Sequence, residues 1–316
     1  MTDLLTRERV SRVTPFGVRF VDDQSGRVVA SGLQVSAWPT AEPSRARAVP
    51  LNRTNVFYML NVPGLRDFEF GAGDDASWAG LSRRVDFTLE VQDLEGRFLP
   101  FRFTAVLPAR GLMRLACGSP STPVALPRDA EPDGVPLFTA PARATTPGTV
   151  VVRADLWDAA NHVPAAWAML EARTPGARLR GEPPVRALAD DRGRVALHFP
   201  LPDERDVDGG SFDSPTSGAG APLAARTWTV EVESSYDRLP PVPPPPTGGV
   251  RAVNPIPDLC AALNQAPAHL WDRLGATPVP LTQVTLRFGQ ELSMKSSDAG
   301  AEPASILLLT PSQSPP

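Results

Sequence analysis

The sequence predicts a mostly β protein: two β-sandwich domains, then a C-terminal segment holding one short helix and two strands. Three observations carry that prediction. Asp-x-x-Gly-Arg followed by Val or Phe occurs three times, at 23–28, 93–98 and 190–195. Beside each copy runs a stretch in which apolar and polar residues alternate, the period of a half-buried strand. Between those runs the chain is punctuated by proline and glycine, 37 and 24 of its 316 residues. An Asp that accepts from its own backbone, with Gly three residues later at positive φ, suits a type I turn closed by a glycine bulge. Each copy therefore reads as a β-hairpin.

Residues 1–15 form a charged N-terminal arm, and 16–117 the first sandwich. Phe16, Val18 and Phe20 alternate with Gly17, Arg19 and Val21, and a turn at Ser25-Gly26 leads into Val28-Val29 and then Leu33 to Trp38. The cleanest alternation is Val85, Phe87, Leu89 and Val91, which the turn around Gly96 joins to Leu99, Phe101, Phe103 and Ala105 as a hairpin. Asp67 to Ala79 reads as a strand end and a loop. Residues 118–136 are a Pro-rich linker.

The second sandwich spans 137–238, with faces at Val150/Val152/Ala154/Leu156, Val195/Leu197/Phe199 and Trp228/Val230/Val232. Pro164 to Arg173 fits either period and is read as a strand from its neighbours. A polyproline run at 239–249 would act as a spacer of roughly 25 Å at ~3.1 Å per residue. In 250–316, Asp258 starts a short helix carrying Leu259 and Leu263, and strands follow at Val284 to Phe288 and Ile306 to Leu309. That segment holds too little core to fold alone, so it is expected to pack on domain 2 or on a partner.

The formal charge of −4, with Lys295 the only lysine, leaves no basic patch for nucleic acid. No window is apolar enough to span a bilayer, and the N-terminus lacks a signal-peptide core, so cytoplasmic synthesis is expected. Cys117 and Cys260 have neither zinc-site nor framework spacing. With one in a linker and the other on a helix, they are read as unpaired, although nothing in their separation bars a bridge.

Catalytic, cofactor and metal sites are each read as none. His162, His198 and His269 fall in no metal or nucleophile motif, and His198, alternating with Leu197 and Phe199, is read as an outward polar position. The acidic loop with Asp206 and Asp208 lacks the third Asp and closing Glu of a calcium loop and is read as solvated. Of the Trp residues, Trp228 belongs to a core alternation. Trp78, Trp157 and Trp271, with Ile306 and Leu308, are the candidate interaction surface. Trp78 and Trp157 could instead form a sugar-stacking platform.

Phe16 to Val35, with Ala154 to Ala166 and Ala189 to Leu197, resembles the transthyretin-like, or carboxypeptidase-regulatory-like, group of immunoglobulin-like β-sandwiches. That resemblance implies non-catalytic appendage domains; the peptidase's zinc ligands have no counterpart in this sequence. Asn61 to Arg66, Gly96 to Phe103 and Val284 to Leu292 are similar to accessory proteins of phage-tail-like contractile injection systems. This second resemblance implies a structural subunit of a particle that is assembled in the cytoplasm and can be released from the cell. Its partners would be sheath, tube or baseplate proteins. It carries over no site residues.

Overall fold

The computed structural model describes residues 12–71, 84–109, 111–115, 117, 134–145, 148–200, 227–240, 255–274, 278–298 and 305–311. The chain is mostly β, in two sandwiches. In domain 1 the strands are β1 (Phe16–Val18), β2 (Phe20–Asp22), β3 (Val28–Val29), β4 (Leu33–Pro39), β5 (Arg47–Ala48) and β6 (Phe57–Met59). After a short helix α1 (Arg66–Glu69) come β7 (Val85–Asp93), β8 (Phe101–Leu107) and β9 (Val135–Leu137).

One layer has the order β5-β4-β7-β8; the other is formed by β3-β2-β9 and the β1-β6 pair. The alternation explains the layering. Phe16, Val18 and Phe20 are all at 0% exposure, facing Phe87, Leu89, Phe101 and Phe103 of the opposite layer. Phe20 meets the Phe57 ring edge-on, with centroids 5.4 Å apart, the arrangement that ring quadrupoles favour. Because β9 pairs with β2 in parallel, the end of the expected linker belongs to this domain.

Residues 66–69 are helical rather than a strand end. The cause is Glu69, buried under the turn at Pro63-Gly64. Its carboxylate accepts from the backbone N–H groups of Asn61 (2.8 Å) and Val62 (2.7 Å) and from Arg12 (2.7 Å). Burial alone would push the Glu69 carboxyl up. The donors from Val62, Asn61 and Arg12 outweigh it and hold the group below the ordinary carboxylate value.

Domain 2 begins with β10 (Thr149–Asp158), β11 (Val163–Pro164), β12 (Met169–Arg173), β13 (Val185–Leu188), β14 (Arg194–Pro200) and β15 (Thr227–Ser235). It ends with β16 (Pro267–Leu274), β17 (Val279–Pro280), β18 (Gln283–Arg287), β19 (Leu292–Ser293), β20 (Ser297–Asp298) and β21 (Leu307–Thr310). The order β11-β10-β21-β16-β15-β12-β13 curls round a core that includes Val152, Leu156, Leu170, Leu197, Val230 and Leu309. The C-terminal strands are thus integral to the sandwich. β18 pairs with β15, and β21 lies between β10 and β16.

The three turn copies diverge in use. Gly26, Gly96 and Gly193 all take positive φ (65°, 68° and 77°), as the motif requires. The first two copies join antiparallel neighbours, β2 to β3 and β7 to β8. The third does not form a hairpin. β13 pairs with β12 and β14 with β10, so this copy turns a corner between strands of different layers. Gly193 is pressed against the Leu156 backbone there, where an added Cβ would lie 2.3 Å from the carbonyl oxygen.

Helix α2 (Leu259–Leu263) returns to domain 1. Asp258 caps it by accepting from the Ala261 N–H at 2.9 Å. Leu259 and Ala262 are buried in the first core, the leucine worth roughly 1.5–3 kcal/mol by burial. Arg102 in β8 donates its backbone N–H to Pro257 at 2.9 Å. The Arg102 side chain, on the polar side of its strand, is 2% exposed and paired with Glu90 at 2.7 Å. Cys117 and Cys260, expected to be unpaired, form a disulfide across 143 residues of sequence. Sequence periodicity carries no information about such a pairing, because it depends on α2 folding back onto domain 1.

Candidate interaction surface and domain junction

Of the five candidate surface residues, Trp78 lies outside the described residues. The sheet register brings three others together. Trp157 on β10 sits opposite Leu308 on β21, and Leu308 opposite Trp271 on β16. Register partners share a sheet face. This face is opposite the one on which Leu156 (1% exposed), Leu307 (0%) and Leu309 (0%) enter the core. The row continues to Pro164 beside Trp157 and to Pro280 beside Trp271.

Trp157 and Leu308 are half-buried along this row; Ile306, which precedes β21, is half-buried too. Trp271 is not an exposed anchor: it is 5% exposed, and its indole N–H donates to Thr310 Oγ1 at 3.0 Å. A buried indole with its one donor satisfied is a packing element. The accessible apolar part of the row is therefore Trp157 with Leu308.

Sequence reasoning missed the junction between the domains. In the second and third turn copies the first Asp is spent on its own turn. Asp93 accepts from the backbone N–H of Phe98 at 3.2 Å and from the Arg97 side chain at 2.9 Å, and Asp190 from Arg194 N at 2.9 Å. In the first copy, Asp22 takes that role, accepting from Gln24 N at 3.1 Å and Ser25 Oγ at 3.0 Å. The turn is one residue longer, with Asp22 N bonded to Arg27 O where the third copy bonds Asp190 N to Arg194 O. Asp23 is left free to reach Arg186 of β13 at 2.5 Å, while Asp22 also pairs with Arg143 at 2.9 Å. The only sequence signal was the doubled Asp ahead of Gln-Ser-Gly-Arg.

His198, expected to point outward, is 2% exposed at this seam. Its carbonyl accepts from Gln24 Nε2 at 3.4 Å, and its ring Nε2 has no hydrogen-bond partner among the described residues. Burial, reinforced by Arg143 and Arg153, holds its pKa below the ordinary value, against a weaker opposing pull from Asp22 and Glu291. Apolar contacts complete the junction, since Trp167, Met169 and Leu188 of domain 2 belong to the domain 1 core. Trp167 adopts φ 60°, a left-handed conformation that a bulky residue occupies only when its surroundings impose it.

Among the described residues, no group of three or more His, Cys, Asp or Glu is placed to hold a metal ion. Among the same residues, no helix is long and apolar enough to cross a membrane. The acidic loop around Asp206 and Asp208 lies outside them.

No protein-family model matches the chain, and no curated protein matches it. Among solved structures, a point mutant of the shaft pilin spaA from Lactobacillus rhamnosus GG aligns over 95% of this chain and 98% of its own, at 11% identity and TM-score 0.20. The unmutated pilin aligns over 96% and 100%, at 11% identity and TM-score 0.19. Superposition this loose carries no argument about the fold or the role of this protein.

Proposed function

We propose that this protein is a non-catalytic structural subunit that binds other proteins through the outer face of domain 2. One observation carries the reading: a sheet row with a half-buried Trp157 beside a half-buried Leu308, mounted on two sandwiches that share core residues and ion pairs. A two-domain body with a shared core and an aromatic anchor on an outer sheet face suits recognition, because little order is lost when a partner docks. Partner subunits of a phage-tail-like contractile injection particle, namely sheath, tube or baseplate, are the specific expectation. It rests on the sequence resemblance at Asn61 to Arg66, Gly96 to Phe103 and Val284 to Leu292.

The test is affinity capture of the tagged full chain from its native host, read by mass spectrometry, beside a Trp157→Ala, Leu308→Ser variant. Sheath, tube or baseplate proteins captured by the parent and lost by the variant support both the particle and the surface. Capture unchanged by the variant removes the surface from the reading. No particle protein in either sample overturns the particle assignment.

A further inference from the structure

We propose that two copies of this chain associate edge to edge through β18, continuing the domain 2 sheet across a two-fold axis. The partner is a second copy of the protein, and the surface is separate from the row at Trp157 and Leu308. β18 is an open edge. Its register with β15 pairs Trp228 with Leu286 and Val230 with Val284, and the Val232 N–H donates to Thr282 O at 2.8 Å. Peptide groups of an antiparallel strand point alternately to its two sides. Thr282, Val284 and Leu286 therefore bond β15, while Gln283, Thr285 and Arg287 turn their peptide groups away from it. Among the described residues no strand pairs with that outer side, and the side chains of Gln283, Thr285 and Arg287 are exposed.

Other edges of this sandwich are blunted. β11 carries Pro164 and β17 carries Pro280, each lacking a backbone donor, and Arg186 of β13 is tied to Asp23 of domain 1. β18 has no Pro, no Lys and no charge facing the core, since Val284 and Leu286 are the residues that pack there. An edge with none of these devices is a template for a further strand.

The strand is complementary to itself. Antiparallel pairing centred on Thr285 sets Thr285 against the second copy's Thr285, and Gln283 against the second copy's Arg287. Each Thr285 N–H then meets the other's carbonyl, and each Arg287 N–H meets a Gln283 carbonyl. The Arg287 carbonyl is already engaged, accepting from the Gln290 N–H at 3.2 Å. Val284 lies beside the second copy's Leu286 on the core side, and such Thr–Thr and apolar pairs stabilise neighbouring strands. Charge selects the register. Neither Glu231 nor Arg287 forms an ion pair among the described residues. Glu231 sits opposite Gln283, so the second copy's Arg287 comes within roughly 10 Å of it between backbones, near enough for the two long side chains to meet. A slipped register that set Arg287 against Arg287 would oppose like charges.

The experiment is sedimentation equilibrium of the full chain over a concentration series, with hydrogen exchange read by mass spectrometry at its two ends. A single five-residue strand pair is a small contact, so a monomer–dimer equilibrium that shifts with concentration is expected. As the dimer fills, exchange at the Thr285 and Arg287 amides should slow by more than about tenfold, while Val284 and Leu286, bonded to β15, are slow throughout. Thr285→Pro removes the donor on the two-fold axis, and Thr285→Lys sets like charges across it. Neither removes a bond to β15, so both variants should stay folded and remain monomeric over the same range. A parent chain that is monomeric at every concentration overturns the proposal. So does a dimer that survives Thr285→Lys, or one that leaves exchange across 283–287 unchanged, because the interface then lies elsewhere. Should a variant unfold, exchange in the unaltered chain still decides the question.

Discussion

Gln265 donates its side-chain N–H to the Trp167 carbonyl at 2.8 Å, joining the segment just beyond α2 to the left-handed turn that enters the domain 1 core. The same amide donates to Ala262 O at 2.8 Å, and its oxygen accepts from Asp237 N at 2.9 Å. One buried side chain thus satisfies three backbone groups from three segments. Gln265→Ala strips all three of a partner and should cost about 2–3 kcal/mol, seen as a lower urea midpoint. Loss of less than about half a kcal/mol would mean that water replaces the amide.

The turn glycines offer a paired comparison. At Gly96 nothing lies within 4 Å of an added Cβ, so Gly96→Ala meets only the positive φ and should cost about 1 kcal/mol. At Gly193 the same change also drives a methyl into the Leu156 carbonyl, and should cost about 3 kcal/mol or more. Chemical denaturation of the two variants checks the ranking. Equal losses would argue against the close approach at the corner.

Glu69 should make the protein sensitive to acid. Its folded-state pKa lies below the ordinary value, so its contribution is fully present above about pH 4.3 and is lost as pH falls through the folded pKa. Glu69→Gln should be less stable than the parent by about 2 kcal/mol near neutrality, and the gap should close in strong acid. Thermal melts across that range measure the gap.

His198 gives a second acid effect in a different window. Its folded-state pKa is lowered from 6.5, so between those two values the unfolded chain binds the proton that the folded chain refuses. Stability is retained above about pH 6.5 and falls as pH drops toward the folded pKa. In His198→Leu that decline should disappear, so its melting temperature changes less between about pH 7.5 and about pH 5.5 than the parent's. Parallel pH profiles for parent and variant would place the acid response elsewhere.

The strands with period-two alternation were legible in the sequence because the signal is local: β4, β7, β8 and β10 lie where alternation puts them. The same holds for the glycines at positive φ, whose turn chemistry is written within six residues. What sequence could not show was which strand pairs with which. The third turn copy looks like the other two, yet it crosses between layers because β14 finds β10 rather than β13. His198 reads as a solvent position because alternation describes one sheet, and its other face is covered by a second domain. The candidate row was half legible. Trp157 and Leu308 carried no sign that parallel pairing would set them side by side, and Trp271 none that Thr310 would take up its N–H.

The position of β21 has a consequence for biosynthesis. Leu307–Thr310 sits in the interior of the sheet, parallel to β10, whose partner residues Leu156 to Asp158 leave the ribosome much earlier. Until the later strand emerges, the nascent chain presents β10 and β16 with a gap between them and the Leu156 side of the core uncovered. Pairings between such distant segments form slowly and expose strand edges while they wait. Domain 1 can assemble most of its layers early, whereas domain 2 must close after synthesis has passed Thr310. The window for misassociation therefore falls on the domain that carries the proposed docking face.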